Sequence, residues 1–381
     1  MRAINYTEAH LAFRDRIRRF LDTEIAPNVA QWEADRIVPR SFWRKMGKNG
    51  FLCTAVSPKF NGMGGDFLYS VIATEEMMRT NHTGLISPLH SDIVVPYIVS
   101  YGSKDQKKRY LPGCVSGEII TAVAMTEPDA GSDLAAMAAT AVEEGDDVVI
   151  NGSKTFISNG INCDLIIVAA KDPKAEVPHK AISLYLIEDG TPGFKKGQQL
   201  EKMGMHSQDT AELFFTNCRI PVANRLGEKG EGFGMLMQKL QQERLISALM
   251  CQARTEWILE WTTDYCRTKV HGHQGPLSKS QAHQFALVEM ATETRISKSF
   301  VEKLVNDHMQ KKDVVVQTCM AKYWTSDLAK QVIGRCMQIV GPFALDEKCP
   351  LARAFRDLQV TSIFAGTNEI MKRIISQSMG F

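Results

Sequence analysis

DDVVINGSKTFI, residues 146–157, is where the helical pattern of this chain gives way. Val148, Val149 and Ile150 are β-formers, Asn151-Gly152 is a turn dipeptide, and Thr155, Phe156 and Ile157 resume the β pattern, so the stretch predicts a hairpin. Leu165–Ala170, Ala181–Ile187 and Ala211–Asn217 repeat the signal, punctuated by Pro and Gly. Residues 121–230 therefore predict a small antiparallel barrel or sandwich. Before it, residues 1–120 read as helical. Thr7 is a plausible N-cap ahead of Leu11, Phe13, Ile17, Phe20 and Leu21, and further helices are expected from about Ser41 to Gly50 and over Asp66–Arg79, His90–Tyr101 and Lys104–Val115. After it, residues 231–381 contain four long amphipathic segments, 233–267, 279–309, 313–340 and 351–377, as a four-helix bundle requires. The expected class is α+β multidomain: an all-α N-terminal domain, an antiparallel β-barrel domain and a C-terminal four-helix bundle.

Composition excludes several functions. At 381 residues the chain is too long for one ordinary core. A formal net charge of +2 and no run of five like charges give no nucleic-acid surface. Nine scattered Cys, without a CxxC pair or metal-ligand spacing, predict reduced thiols and no metal site. The charged N-terminus lacks the apolar core of a secretory leader, and no apolar run approaches the ~20 residues of a membrane span. A cytoplasmic protein is expected.

Three motifs bear on chemistry. In Met125-Thr126-Glu127-Pro128-Asp129-Ala130-Gly131-Ser132-Asp133, Pro128 and Gly131 impose an irregular backbone whose free amides, with the Thr and Ser hydroxyls, suit an electron-rich ring edge or a phosphate; the same residues equally make an ordinary polar loop. Phe364-Ala365-Gly366-Thr367-Asn368-Glu369-Ile370 enters the last helical segment, where Thr367 or Asn368 is a cap and the free N–H groups favour an anion. Gln241-Gln242-Glu243-Arg244-Leu245 lies inside the first bundle helix.

In order and spacing these three motifs resemble the acyl-CoA dehydrogenase family, and NGSKTFISNG, QDTAELFF and KYWTS are most similar to its long-chain branch. The resemblance covers nearly the whole chain. It implies FAD as cofactor, acyl-CoA as substrate, an electron-transfer flavoprotein as electron acceptor and a homotetramer. It also implies site residues. Met125, Thr126 and Ser132 would meet the flavin, Ser132 also the CoA arm, and Phe156, Ile157 and Ser158 would flank the ring. Gly366 would face the thioester, Thr367 and Glu369 would lie near FAD, and Arg244 would meet the CoA moiety. Lys269, Gln338 and Gly341 would reach the part of FAD that relatives hold across a subunit interface, and Gln281 would lie near FAD.

In this family a carboxylate takes the α-proton of a thioester while a hydride leaves the β-carbon. Relatives commonly place that Glu directly before the Gly of the last motif, where this chain has Ala365. Glu243 matches the alternative position of the long-chain and isovaleryl branches, on the first bundle helix; otherwise it is a surface residue paired with a cation. Asp92 is a second unusual carboxylate, on a helix that the resemblance places along the acyl cavity. An isolated carboxylate there is costly. Either it acts on the substrate, as a base at a carbon beyond the α-position of an alicyclic acyl group, or it pairs elsewhere, with His90 a candidate partner. Two stretches depart from the family. Arg267–Pro276, one residue longer and without the Phe, stands where relatives have an Arg-x-x-Phe-Gly segment, with Lys269 its nearest cation, and Pro342 follows Gly341 where relatives have a second Gly with an N–H to offer. Alternative readings are a dehydrogenase of carrier-protein-bound acyl groups and a flavin- or acyl-CoA-binding protein without catalysis.

Overall fold

The computed structural model describes residues 4–177, 180–270 and 275–381. Six helices open the chain: α1 (Glu8–Glu24), α2 (Val29–Asp35), α3 (Arg40–Lys48), α4 (Phe67–Arg79), α5 (Val95–Tyr101) and α6 (Lys104–Ser116). Thr7 caps α1 by accepting from the His10 N–H, and Asp66 caps α4 by accepting from Leu68. The short α2 has no counterpart in the sequence reading. A π-helical stretch, Leu89–Val94, precedes α5. Its cause is local. Pro96 has no N–H, so the Asp92 carbonyl loses its α-helical donor, and Gln242 Nε2 supplies a replacement from another helix at 2.5 Å.

Eight strands follow: β1 (Thr121–Ala124), β2 (Thr140–Glu144), β3 (Asp147–Ile157), β4 (Leu165–Lys171), β5 (Ile182–Glu188), β6 (Phe194–Gln199), β7 (Ala211–Pro221) and β8 (Arg225–Leu226). They form one sheet ordered β6-β7-β3-β2-β4-β5-β8, with β1 against β4. Its pairs are antiparallel except β1–β4 and a single β2–β4 bridge, which are parallel. The predicted hairpin about Asn151-Gly152 is not formed. Residues 147–157 are one strand, and the turn lies earlier, at Gly145-Asp146, where Gly145 has φ 65°. Gly152, at φ 139°, marks a bulge in the β3–β7 pairing. A Cβ on it would meet the Ala139 Cα at 2.7 Å. The glycine serves a close approach inside the sheet, a use that the dipeptide does not distinguish from a turn.

Five helices close the chain: α7 (Gly232–Thr268), α8 (Gln281–Met309), α9 (Val315–Val340), α10 (Pro350–Leu358) and α11 (Asn368–Ser378). The predicted fourth bundle segment is thus two helices. Ala365 (φ 55°) and Gly366 (φ 89°) are both left-handed and interrupt it, and Thr367 caps α11 through the Ile370 N–H. One apolar cluster runs from Phe13 and Trp43 through Leu165 and Leu184 to Leu245 and Leu304, so the N-terminal helices, one sheet face and the start of α7 share a core. All nine cysteines are buried and unpaired. Among the described residues, no helix is long and apolar enough to cross a membrane.

Candidate active site

The flavin-loop candidates rest on a buried ion pair. Lys154 Nζ, fully buried on β3, donates to Glu127 Oε1 at 2.7 Å and to the Met125 carbonyl at 3.1 Å. Glu127 also accepts from the Ala138 and Ala139 N–H groups. Burial pushes this carboxyl up, but the ammonium and the amides outweigh it and hold Glu127 below the usual carboxylate range. One residue on, Thr155 N donates to the Thr126 carbonyl, and Phe156 follows at φ 56°, the residue 67% exposed. A bulky residue in the left-handed region costs on the order of 1–3 kcal/mol. The strand therefore bears strain and presents an apolar ring to the outside. Ile157 is buried; Ser158 is half-buried and Ser132 exposed. The side-chain hydroxyls of Thr126, Ser132 and Ser158 have no hydrogen bond among the described residues. An exposed aromatic on a strained backbone beside free hydroxyls fits an isoalloxazine ring.

Arg244 and Gly366 meet. A Cβ on Gly366 would lie 3.8 Å from Arg244 Nη2, so the Ala365–Gly366 turn faces the segment of α7 that carries Glu243. Glu243 is not a surface residue paired with a cation. Its Oε2 is sealed from solvent and accepts no hydrogen bond. Burial raises its pKa to about 7, against the pull of Arg244 and Lys322. The Tyr97 hydroxyl on α5, likewise buried and without a partner, is held neutral by burial and by Glu243. A half-buried carboxyl with one oxygen sealed and unpartnered, its pKa raised to about 7, has the properties that a general base requires.

Asp92 pairs with Ser70, whose hydroxyl donates to Oδ1 at 2.5 Å. His90 is not its partner. That imidazole contacts the Thr121 hydroxyl at 2.8 Å and the Cys114 carbonyl at 3.0 Å. Burial raises the Asp92 pKa to about 7, with Ser70 opposing. Asp92, Ser70, Val95, Gln242 and Lys239 line a cavity of ≈ 940 Å³. Glu243 is the next residue along α7 from Gln242, and its side chain is not part of that lining.

The remaining candidates form a separate group. Lys269, Gln281, Gln338 and Gly341 lie where α7 ends, α8 begins and α9 ends, the first three of them exposed. The Leu277 N–H donates to the Lys269 carbonyl, and Phe343 stacks on Tyr265. Lys269 is about 39 Å from Glu243 along the α7 axis, at ~1.5 Å per residue. His271–Gln274 of the divergent segment lie outside the described residues. Thr367 is half-buried at its cap, and Glu369 is exposed in the first turn of α11.

Sequence reasoning passed over Lys154, Tyr97, Ser70 and Lys322. Lys322 had a signal. It occupies the core-facing stripe of α9 with Thr318, Thr325, Ala329 and Val332, where a lone cation is out of place.

Three family descriptions match the chain: "Acyl-CoA dehydrogenase, N-terminal domain" over residues 7–118, "middle domain" over 122–218 and "C-terminal domain" over 230–380. The rat mitochondrial long-chain specific acyl-CoA dehydrogenase is 40% identical over 379 residues, spanning 98% of this chain and 87% of the rat protein. A Bacillus subtilis acyl-CoA dehydrogenase is 32% identical, with 98% of each covered. The crystal structure of an acyl-CoA dehydrogenase from Geobacillus kaustophilus superposes with a TM-score of 0.97 at 48% identity, covering 99% of each chain.

Proposed function

Since this chain belongs to the acyl-CoA dehydrogenase family of FAD-dependent oxidoreductases, we propose that it converts an acyl-CoA thioester to the enoyl-CoA with Glu243 as the base. The observation that carries this reading is the Glu243 carboxyl, its Oε2 sealed and without a hydrogen bond, on the segment of α7 that the Ala365–Gly366 turn faces. The α C–H bond breaks, its proton goes to Glu243, and its electron pair becomes the new C=C bond as hydride leaves the β-carbon. Bound FAD supplies the acceptor for that hydride. Thr126, Ser132, Phe156 and Ser158 would hold the ring end of the cofactor, and Arg244 would hold the CoA moiety. The Ala365–Gly366 turn would present backbone to the thioester carbonyl, stabilising the charge that develops there. Anaerobic mixing of holoenzyme with a panel of acyl-CoAs tests the reading: bleaching of the flavin absorbance is expected, and no bleaching by any member would refute it. Including carrier-protein thioesters separates the alternative donor.

For the acyl group, the Asp92 cavity favours an alicyclic substrate such as a cyclohexane- or cyclohexene-carboxyl thioester. On the cyclohexene-carboxyl thioester Asp92 would take the γ-proton, the electron pair of that C–H bond forming a new C=C while the original double bond shifts to the other side of the α-carbon and a hydride leaves the second β-carbon for bound FAD; a carboxyl raised to about 7 suits that role at neutral pH. Asp92→Asn should lower turnover of the cyclic thioester by roughly 10²–10⁴-fold while straight-chain turnover persists. Equal rates with wild type on the cyclic substrate would remove Asp92 from the chemistry.

A homotetramer is the assembly we favour, with an electron-transfer flavoprotein as electron acceptor and the cytoplasm as its place. The Lys269 group lies too far from Glu243 to serve the same flavin within one chain, so a second copy is the economical recipient. Phe285, Val288 and Ile296 also leave an apolar stripe of α8 exposed. Sedimentation of the holoenzyme checks the assembly. Pro342 removes one N–H from the group that would serve that second copy. Pro342→Gly should therefore tighten FAD about fivefold, about 1 kcal/mol for one regained hydrogen bond, measured by titrating apo-protein.

A further inference from the structure

We propose that Lys322 is a positioning residue of the reaction, its ammonium fastening the Ala365–Gly366 turn to α9 and holding a positive charge behind Glu243. Lys322 is 1% exposed. Nζ donates to the Gly366 carbonyl at 2.7 Å and to Asn368 Oδ1 at 3.0 Å, both neutral acceptors. Among the described residues it makes no ion pair. A buried cation without a counter-charge is expensive, and structural hydrogen bonds alone are more cheaply made by a neutral side chain. What the cation faces gives the reason. The turn it grips consists of two left-handed residues, one of them not glycine, and abuts Arg244. Glu243, the neighbour of Arg244, is the half-buried carboxyl with an orphaned oxygen, and the Lys322 field favours its ionised form. Asn368 is itself fixed by Ser326 and Asp327, so the anchor is rigid.

The inference rests on the reading of Glu243 as base. The ionisable and charged groups around Lys322 are Glu243, Arg244 and Cys251 from α7, Cys319, Asp327 and Lys330 from α9, and Glu369 from α11. Burial lowers the Lys322 pKa to about 8. Its charge is therefore present below that pH and lost above it. The base needs the opposite, being competent above its own pKa near 7. Above pH 8 the neutral amine holds the Gly366 carbonyl less strongly than the ammonium does, so the turn is less firmly placed, and the two limbs together predict a bell-shaped profile of kcat/KM.

The test is the pH profile of the holoenzyme with its fastest saturated acyl-CoA and an artificial electron acceptor, for wild type, Lys322→Gln, Lys322→Arg and Glu243→Gln. Lys322→Gln keeps a donor for Gly366 but removes the charge. Its acidic limb should move up by about one pH unit and its alkaline fall should be absent, at a lower plateau than wild type and with flavin content and melting temperature near wild type. Lys322→Arg keeps the charge at every accessible pH, so the alkaline fall should vanish. If Lys322→Gln fails to hold flavin, Lys322→Arg decides: loss of the alkaline fall supports the proposal, and an unchanged fall overturns it. Unmoved limbs in both variants, with Glu243→Gln inactive, reject Lys322 alone. An active Glu243→Gln rejects the base itself.

Discussion

Glu243→Gln should lower the rate of flavin reduction by acyl-CoA by roughly 10²–10⁴-fold, the range a positioned general base supplies. The amide keeps the volume and loses the proton acceptor, so substrate binding should persist. Rapid mixing under anaerobic conditions measures this directly, and a rate within threefold of wild type would end the assignment. The same variant should be more stable. The carboxyl titrates at about 7 in the fold against 4.5 as its ordinary value, and the side-chain oxygen is sealed. Because the folded pKa is raised, the carboxyl imposes no penalty below pH 4.5. The penalty grows as pH rises towards 7 and is complete above it, at roughly 3 kcal/mol for a shift of this size. Glu243→Gln should therefore melt higher than wild type at pH 8 and no higher at pH 4.5. Adding Ala365→Glu to that variant should restore part of the activity, because the turn faces the same segment of α7 and Ala365 already has the left-handed backbone such a residue would need.

The largest loss of stability should come from Lys154→Met. Lys154 and Glu127 are buried, and the carboxylate has only two backbone N–H groups besides the ammonium. Removing one partner of a buried pair typically costs about 3–5 kcal/mol, because the remaining charge has no solvent to return to. The damage should also reach the cofactor, since Lys154 holds the Met125 carbonyl and the next residue but one, Phe156, carries the strained exposed ring. The expected result is a lower melting temperature together with weaker FAD retention. The double variant Lys154→Met, Glu127→Leu should regain much of the stability, because no uncompensated charge is left. A single variant that melts with wild type would show that water already reaches the pair.

The sequence alone determined the three-part order of the chain, helices, then a β region, then long helices. Hydrophobic period is a short-range property, so α7 and α9 were visible within a few residues of their ends, and the change of period near residue 120 announced the sheet. It also determined the family and, through the vacancy at Ala365, directed attention to Glu243. What it misassigned was decided at long range. Asn151-Gly152 suits a turn or a bulge equally well, and only β7 on one side and Ala139 on the other select the bulge. The last helical segment was expected whole, because its residues favour helix one by one. The left-handed pair that breaks it is fastened by Lys322, 44 residues away from Gly366. Asp92 looked towards His90 in the chain and found Ser70, 22 residues back. Tertiary structure alone decided which charges are sealed from water. Burial sets a pKa through desolvation by every neighbouring element at once, and no local window of sequence contains that sum.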